Sequence, residues 1–497
     1  MSISPGRVAT RGDGVLSDAV LADLRAAVGA GGLILEPNQL QTYECDGLAA
    51  LRIPPAAVVL PRSSTEVQAV VRICARHRIP FVARGAGTGL SGGALPSANG
   101  IVLSFARMNR ILAVDLPNQR ITVEPGVINN HVTQRVASAG YFYAPDPSSQ
   151  SVCTIGGNVA ENAGGAHCLK YGFTTTHVLA LDVVLPSGEF VHFGSPALDA
   201  PGYDLAGVFV GSEGTLGVVT AVTLRIVKRP EAVQVLLAAY DSIAAAGQTV
   251  SDIIAASILP AAMEIMDRLS IEAAEASVHP NYPACDALLL VELDGPTAEV
   301  DLQMQQVREI CRANGAWEDR LAQSAQERLL VWKGRKAAFA AAGRLAPNYI
   351  VQDGVIPRTK LPIILEEVER MATASGLRVS NVFHAGDGNL HPIVLYNASI
   401  PGQEETALDL SMRILHLCVD HGGSITGEHG VGKEKQEAMG YMYSEPDLNT
   451  MQLVRSAFDP DQIANPDKLF PRPRLCGEKS GPYTPHPLEV AGVAEYF

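Results

Sequence analysis

The eight cysteines of this chain are scattered at Cys45, Cys74, Cys153, Cys168, Cys285, Cys311, Cys418 and Cys476, and no two form a Cys-x-x-Cys pair. An iron–sulfur or zinc-ribbon centre needs such pairs to converge thiolates on one point, so the chain shows no signature of one. Free thiols in a reducing cytoplasm are the simplest expectation. No apolar run approaches the ~20 residues of a membrane span, and Met1 to Gly14 lacks the apolar core of a secretory signal. Positive charge is also short. The formal net charge is -14 and no basic stripe interrupts it, which argues against a nucleic-acid partner. Charged residues make up 18% and hydrophobic ones 47%, the balance of a folded globular protein. A length of 497 residues gives room for two or three domains with full cores.

Glycine is abundant in one place above all. From Arg84 the chain reads Gly85-Ala86-Gly87-Thr88-Gly89-Leu90-Ser91-Gly92-Gly93. A loop without Cβ atoms lets backbone N–H groups approach an anion, so this loop reads as a pyrophosphate cradle. Gly87 to Gly92 also matches G-x-G-x-x-G, the dinucleotide fingerprint, but that fingerprint must open a helix. Here Leu95-Pro96-Ser97-Ala98-Asn99-Gly100 follows, which cannot start a regular helix. Phe81-Val82-Ala83 before the loop and Ile101–Phe105 after it read as strands. The expected order is strand, bare loop, strand.

Upstream, residues 16–30 and the segment after Ser63 have helical apolar spacing, the second with a hydroxyl cap and an early acid, Glu66. Downstream, a second glycine-rich stretch holds Pro145, Asp146 and Pro147, then Thr154, Gly156, Gly157, Asn158, Asn162 and Gly165. Its small polar residues suit a flat polar ligand, and they equally suit a capped turn into a helix at Gly156. A third cluster, Gly211 to Val219, contains Gly217 and Val218 and runs into a strand. After Lys228-Arg229-Pro230 the chain changes character, with longer apolar strands and amphipathic helices that read as a separate α+β domain. Within it, Arg335 sits in a basic helix. It can be read as a bidentate clamp for a carboxylate or as a solvated surface residue.

Two further turns carry the chemistry. His384-Ala385-Gly386-Asp387-Gly388-Asn389-Leu390-His391 places two histidines across a tight Asp-Gly turn, with strands on both sides. Gly427-Glu428-His429-Gly430-Val431-Gly432 adds a carboxylate and a third imidazole. Two histidines and one carboxylate with an open position make a common divalent-metal site. Each histidine alone also reads as an ordinary hydrogen-bonded core residue.

The order of these glycine segments resembles the flavin domain of the vanillyl-alcohol-oxidase/p-cresol-methylhydroxylase type. The second half resembles the FAD-linked D-2-hydroxy-acid dehydrogenases. Val331–Phe339, Asp353–Arg358, Phe383–Pro392 and Gly427–Lys433 look most like the FAD-containing catalytic subunits of bacterial glycolate oxidases. The resemblance covers nearly the whole chain, through Phe458–Pro460 and Asn465–Lys468.

It implies an α+β fold: a two-part FAD-binding domain, an α+β substrate (cap) domain and a C-terminal helical return. The expected divisions are an N-terminal helical segment at 1–50, the flavin domain at 51–230, the cap at 231–455 and the return at 456–497. FAD would lie on Arg84 to Gly92, on Pro145 to Pro147, on Thr154, Gly156, Gly157, Asn158, Asn162 and Gly165, on Gly217 to Val219, and on Asn465. It would be bound non-covalently, since some members link flavin to a histidine in the glycine loop and this loop has none.

The resemblance also implies a divalent metal (Zn, Mn or Fe) on His384, His391 and Glu428, with His429 as base and Arg335 on the substrate carboxylate. Relatives acting on larger diacids carry extra Thr and Lys side chains after that arginine. Here Phe339 and Tyr349–Gln352 stand in the corresponding region, which favours a small monoacid. The implied reaction is oxidation of glycolate to glyoxylate by hydride transfer to flavin N5. The implied partners are a second FAD-type subunit and an iron–sulfur subunit, in the cytoplasm or at the inner membrane through those subunits. The alternatives are a D-lactate dehydrogenase and a non-catalytic FAD-binding electron-transfer subunit.

Overall fold

The computed structural model describes residues 16–195, 197 and 201–471. The stretch Met1 to Gly14, Cys476 and the chain beyond residue 471 lie outside the described residues. The first half begins with a four-stranded sheet in which Ala57–Val59, Ile101–Ser104 and Phe81–Arg84 run parallel. Leu33–Ile34 pairs antiparallel at its edge. These strands are buried on both faces and read as short continuous apolar runs. Helices Asp18–Val28 and Ser64–His77 cover them. The second of these starts as the sequence predicts: Ser63 Oγ accepts the Glu66 N–H, and Glu66 reaches back to the Arg62 N–H.

Parallel neighbours normally need a helical crossover. Here Phe81–Arg84 and Ile101–Ser104 are joined by residues 85–100 with no helix at all, so strand, bare loop, strand is the observed order. A second, antiparallel sheet of five strands follows, from Ile111–Asp115 through Val218–Arg225. It packs against Asn129–Val136 and Ile155–Glu161. The second glycine stretch thus includes a capped helix start, since Thr154 Oγ1 accepts the Gly157 N–H.

The second half is built on a seven-stranded antiparallel sheet that includes Ala232–Tyr240, Ala262–Asp267, Ala287–Gly295, Arg378–His384 and Pro392–Tyr396. Successive residues of Ala287–Gly295 serve opposite layers. Leu289 and Val291 meet helices Ile243–Ala255, Thr297–Ala313 and Leu361–Ala374. Leu288 and Leu290 meet Arg268–Val278 and Ala325–Ala341. Ala287 to Val291 is sandwiched in this way and is apolar at every position, which is why this part of the sequence shows no alternation.

The chain then returns to the first half. Phe81 N–H donates to Ile463 O at 2.9 Å and Asn465 N–H to Phe81 O at 2.8 Å, so residues 463–465 extend the first sheet. Among the described residues, no helix is long and apolar enough to cross a membrane.

Candidate active site

A cavity of about 420 Å³ opens between the two halves. Its floor is the glycine loop, with Arg84, Gly85, Ala86, Gly87, Thr88, Gly89 and Leu90 in the lining. Pro147, Thr154, Gly156, Gly157, Asn158, Gly217 and Val219 line it from the first half, and Lys336, Phe339, Tyr349, Val351, Glu428 and His429 from the second. Gly85 shows why the loop is bare, because a methyl there would overlap the Thr154 hydroxyl that caps the facing helix. Arg84 donates from Nη1 to Cys45 O at 2.7 Å and stands over the Tyr43 ring.

Eight other residues expected to hold the cofactor fall outside that lining. Ser91 donates to His429 O at 2.8 Å, while its own carbonyl accepts the Lys433 and Glu434 N–H groups. Gly92 stands against Lys433. Pro145 O accepts from Asn129 Nδ2. The Asp146 carboxylate is committed to His167 Nδ1 at 3.0 Å and Lys336 Nζ at 3.3 Å. Asn162 ends its helix in the left-handed region (φ 51°) and accepts the Thr175 N–H. Gly165 packs on the Asp146 backbone and Val218 is in the core. Asn465 Nδ2 donates to Gly93 O at 2.8 Å and Glu213 O at 2.6 Å, tying two of the glycine turns together.

Beside the cavity stand the histidines. Strands Arg378–His384 and Pro392–Tyr396 form a hairpin whose Gly388 has φ +81°. The His384 and His391 rings come within 5.0 Å at 82°, and His391 stacks on His429 at 4.9 Å and 5°. Glu428 Oε1 is 3.2 Å from His384 Nε2 and 3.4 Å from His391 Nε2. Ligands at 2.0–2.1 Å around a tetrahedral cation stand about 3.3 Å apart, so this spacing fits a small divalent ion. The orphaned groups fit one as well: His391 is 1% exposed and neither ring nitrogen makes a hydrogen bond.

A second grouping, Asp353 with His391 and His429, also has its donor atoms close together. Most donors around Asp353 converge on its Oδ2, leaving Oδ1, among the described residues, with only the Glu428 N–H at 3.2 Å. The carboxylate as a whole accepts the N–H groups of Gly427, Glu428 and His429, the Thr426 hydroxyl and Lys435 Nζ. Glu428 receives only His384 Nε2. The grouping His384, His391 and Glu428 therefore has the more lightly used carboxylate.

The electrostatics follow from burial and neighbours. Burial alone would raise the Glu428 carboxyl, but the facing imidazoles of His384, His391 and His429 pull it down to about 2. Burial would lower His384, yet the carboxylates of Glu264 and Glu428 hold it well above the usual imidazole range. His429 is pushed down to about 4, chiefly by burial and with His391 and Lys435 acting the same way, so it is neutral near pH 7.

Arg335 is no surface residue, at 2% exposed. Helix Ala325–Ala341 carries it inward. Its Nε–H donates to Glu264 Oε2 at 2.7 Å, and the other oxygen of Glu264 meets His384 Nδ1 at 2.7 Å. Its Nη2 also stands 2.5 Å from the same oxygen, Glu264 Oε2. The guanidinium lies over the Phe339 ring at 5.7 Å, and Phe339 in turn stands 5.4 Å from His391. Arg335 thus sits behind Phe339, whereas its neighbour Lys336 is the cation of this helix in the cavity lining.

Sequence reasoning missed three buried carboxylates: Glu264 and Asp353, which hold the site from behind, and Glu213, which reaches the cavity lining. The available signal was an acid inside an apolar run, as in Ala262-Met263-Glu264-Ile265-Met266.

The first half matches the FAD binding domain family over residues 55–194. The second matches the C-terminal domain of FAD linked oxidases over residues 229–469. The glycolate oxidase subunit GlcD of Escherichia coli (strain K12) is 47% identical, with 95% of this chain and 96% of that protein covered. The D-lactate dehydrogenase of Anaerostipes hadrus is 32% identical, with 84% and 89% covered. Among solved structures, p-cresol methylhydroxylase with substrate bound superposes with a TM-score of 0.77 over 92% of this chain and 98% of its own, at 17% identity, which shows the fold alone. With a flavin fold of that type, both family matches and a relative so alike over its whole length, the chain belongs to the FAD-linked oxidases, alongside the GlcD glycolate oxidase subunits.

Proposed function

We propose that this protein oxidises glycolate to glyoxylate. The observation that carries the reading is the meeting, at one cavity, of a bare glycine floor with Glu428, His429 and the paired imidazoles of His384 and His391. FAD fits the floor, whose glycines leave its amides open to a pyrophosphate, and binds non-covalently because residues 85–93 contain no histidine. A divalent cation (Zn, Mn or Fe) fits His384, His391 and Glu428. When bound, FAD supplies the acceptor for the hydride that leaves C2, and the cation supplies the charge that acidifies the substrate hydroxyl.

The chain's residues do the rest. His429, kept neutral by burial, takes the hydroxyl proton on a ring nitrogen. Lys336, the cation of this helix in the lining, meets the substrate carboxylate, with Arg335 paired to Glu264 behind Phe339. Phe339, Tyr349 and Val351 narrow the chamber around a short chain. The electrons then leave through a second FAD-type subunit and an iron–sulfur subunit. Two observations support this: the relative is by name a subunit of glycolate oxidase, and among the described residues no candidate metal group contains a cysteine.

The test is anaerobic bleaching of the flavin in purified protein by glycolate, D-lactate, L-lactate and D-2-hydroxyglutarate, before and after a chelator. Fastest bleaching by glycolate, abolished by chelator and restored by metal, is expected. Faster reduction by D-lactate would reassign the substrate. A yellow protein that none of these acids reduces would overturn the reading.

A further inference from the structure

The segment Gly427 to Gly432 carries Glu428 and His429, and it holds three glycines. Such a segment has little intrinsic rigidity, because glycine leaves the backbone many conformations to lose. It also presents backbone N–H groups that need partners inside the protein. Two carboxylates from opposite halves of the molecule supply them. Asp353, just after strand Asn348–Val351, accepts the N–H of Gly427 at 3.0 Å, of Glu428 at 3.2 Å and of His429 at 2.8 Å. Glu213, in the glycine turn that enters strand Val218–Arg225, accepts the N–H of Val431 and of Gly432, each at 2.7 Å. Asp353 is fully buried and Glu213 is 4% exposed. Between the two sets lies Gly430, with φ +81°. A Cβ there would fall 2.8 Å from Glu213 Oε1 and nearer still to Glu161, so only glycine lets the strap lie flat on the carboxylates. Lys435, itself fully buried, bonds both Asp353 and Gly430 O and closes the arrangement.

We propose that Glu213 and Asp353 are positioning residues that suspend the Gly427–Gly432 strap between the two halves and so set His429 against the flavin cavity. Neither need touch substrate. Asp353 fixes the strap to the sheet that carries His384 and His391, and Glu213 fixes it to the half that carries the glycine floor. The distance from base to cofactor is therefore written in backbone hydrogen bonds to charged acceptors, which are short and directional. The assignment of His429 as base rests on the function proposed above; the suspension of the strap does not.

The test uses the full-length holoprotein, with Glu213→Gln and Asp353→Asn as isosteric variants. Hydrogen exchange reads the strap directly. In the wild type the 427–432 amides are expected to exchange slowly. Glu213→Gln should speed exchange at Val431 and Gly432 by about ten- to a hundredfold, more than at 427–429, and Asp353→Asn should do the reverse. Stopped-flow reduction by glycolate reads the consequence. Glu213→Gln should lower the limiting rate of flavin reduction, expressed per bound FAD because Glu213 also lines the cavity, by roughly a hundredfold with half-saturating glycolate unchanged, because a small misplacement of a reacting group costs that much. A wild-type strap that exchanges freely would overturn the proposal even if neither variant folds. So would a folded Glu213→Gln protein that reduces its flavin at the wild-type rate. A wild type that glycolate does not reduce would refute the proposed substrate, and the exchange pattern would then decide the strap by itself.

Discussion

Replacing Glu264 by glutamine removes one negative charge from a place where two groups depend on it. Its carboxylate is fully buried, with one oxygen 2.7 Å from Arg335 Nε and the other 2.7 Å from His384 Nδ1. Glutamine keeps the shape. In one orientation its carbonyl still accepts from His384 while its NH₂ faces the guanidinium; in the other the conflict moves to the imidazole. Neither orientation restores the charge beside an arginine that is 2% exposed. Removing one partner of a buried ion pair costs about 3–5 kcal/mol, because the other charge is left unpaired. For a cooperative unit the size of the second half, residues 229–469, that lowers the melting temperature by roughly 6–20 °C. The loss of orientation at His384 adds a second effect, about a 10–100-fold loss of metal affinity. Thermal denaturation followed by circular dichroism, together with metal content after dialysis against buffered zinc, measures both. The double variant Glu264→Leu/Arg335→Met closes the argument: with both charges gone, much of the lost stability returns. Melting of Glu264→Gln within about 2 °C of the wild type, or a double variant less stable than the single, would refute the reasoning.

His429→Ala is expected to keep its flavin absorbance and to lose about 10²–10⁴-fold in the rate of flavin reduction by glycolate. In the wild type that rate should stay level as pH falls from about 8 to 5 and decline only toward the His429 value of about 4, since the base is active above its pKa; a midpoint near that of ordinary histidine, about 6.5, would contradict this, as read by stopped-flow reduction across pH. Gly85→Val should lower the FAD content of purified protein, measured by absorbance, because its side chain must displace the Thr154 hydroxyl, and Thr154→Ala in the same chain should restore part of it. Burial raises the Asp267 carboxyl to about 6 despite N–H donors from Ser270 and Asn381, so its contribution to stability is full below the unfolded value of about 3.9 and is lost as pH rises through 6. The melting temperature of wild type relative to Asp267→Asn should accordingly fall between those limits, and a difference independent of pH would count against the shift.

What could be read from the sequence were features whose partners are close in the chain. The bare loop after Phe81–Arg84 is local, and so is the hairpin that brings His384 to His391. The glycines around Glu428 and His429 announce a close approach. What could not be read is what lies on the other side of each approach. Ser91 sits in a glycine loop and looks like one more phosphate contact, yet its hydroxyl bonds the carbonyl of His429, 338 residues away. Asp146 looks like part of a cofactor turn and is committed to His167 and Lys336. Arg335 lies in a basic run that suggests solvent, and only the packing of Glu264 behind it explains its burial. In each case a polar side chain was legible as important, while its partner was fixed by the meeting of two sheets, which no local pattern encodes.

The strand-like pairing of residues 463–465 with Phe81 bears on how the molecule comes into being. Asn465 closes the gap between the Gly93 and Glu213 turns, and Lys468 bonds Leu95 O at the foot of the glycine loop. A ribosome delivers these residues after the whole seven-stranded sheet has emerged. The half that is translated first is thus the half that is finished last, and its nucleotide chamber stays open-edged through most of synthesis. A fragment cut off before residue 463 would lack the piece that locks the floor of the chamber in place.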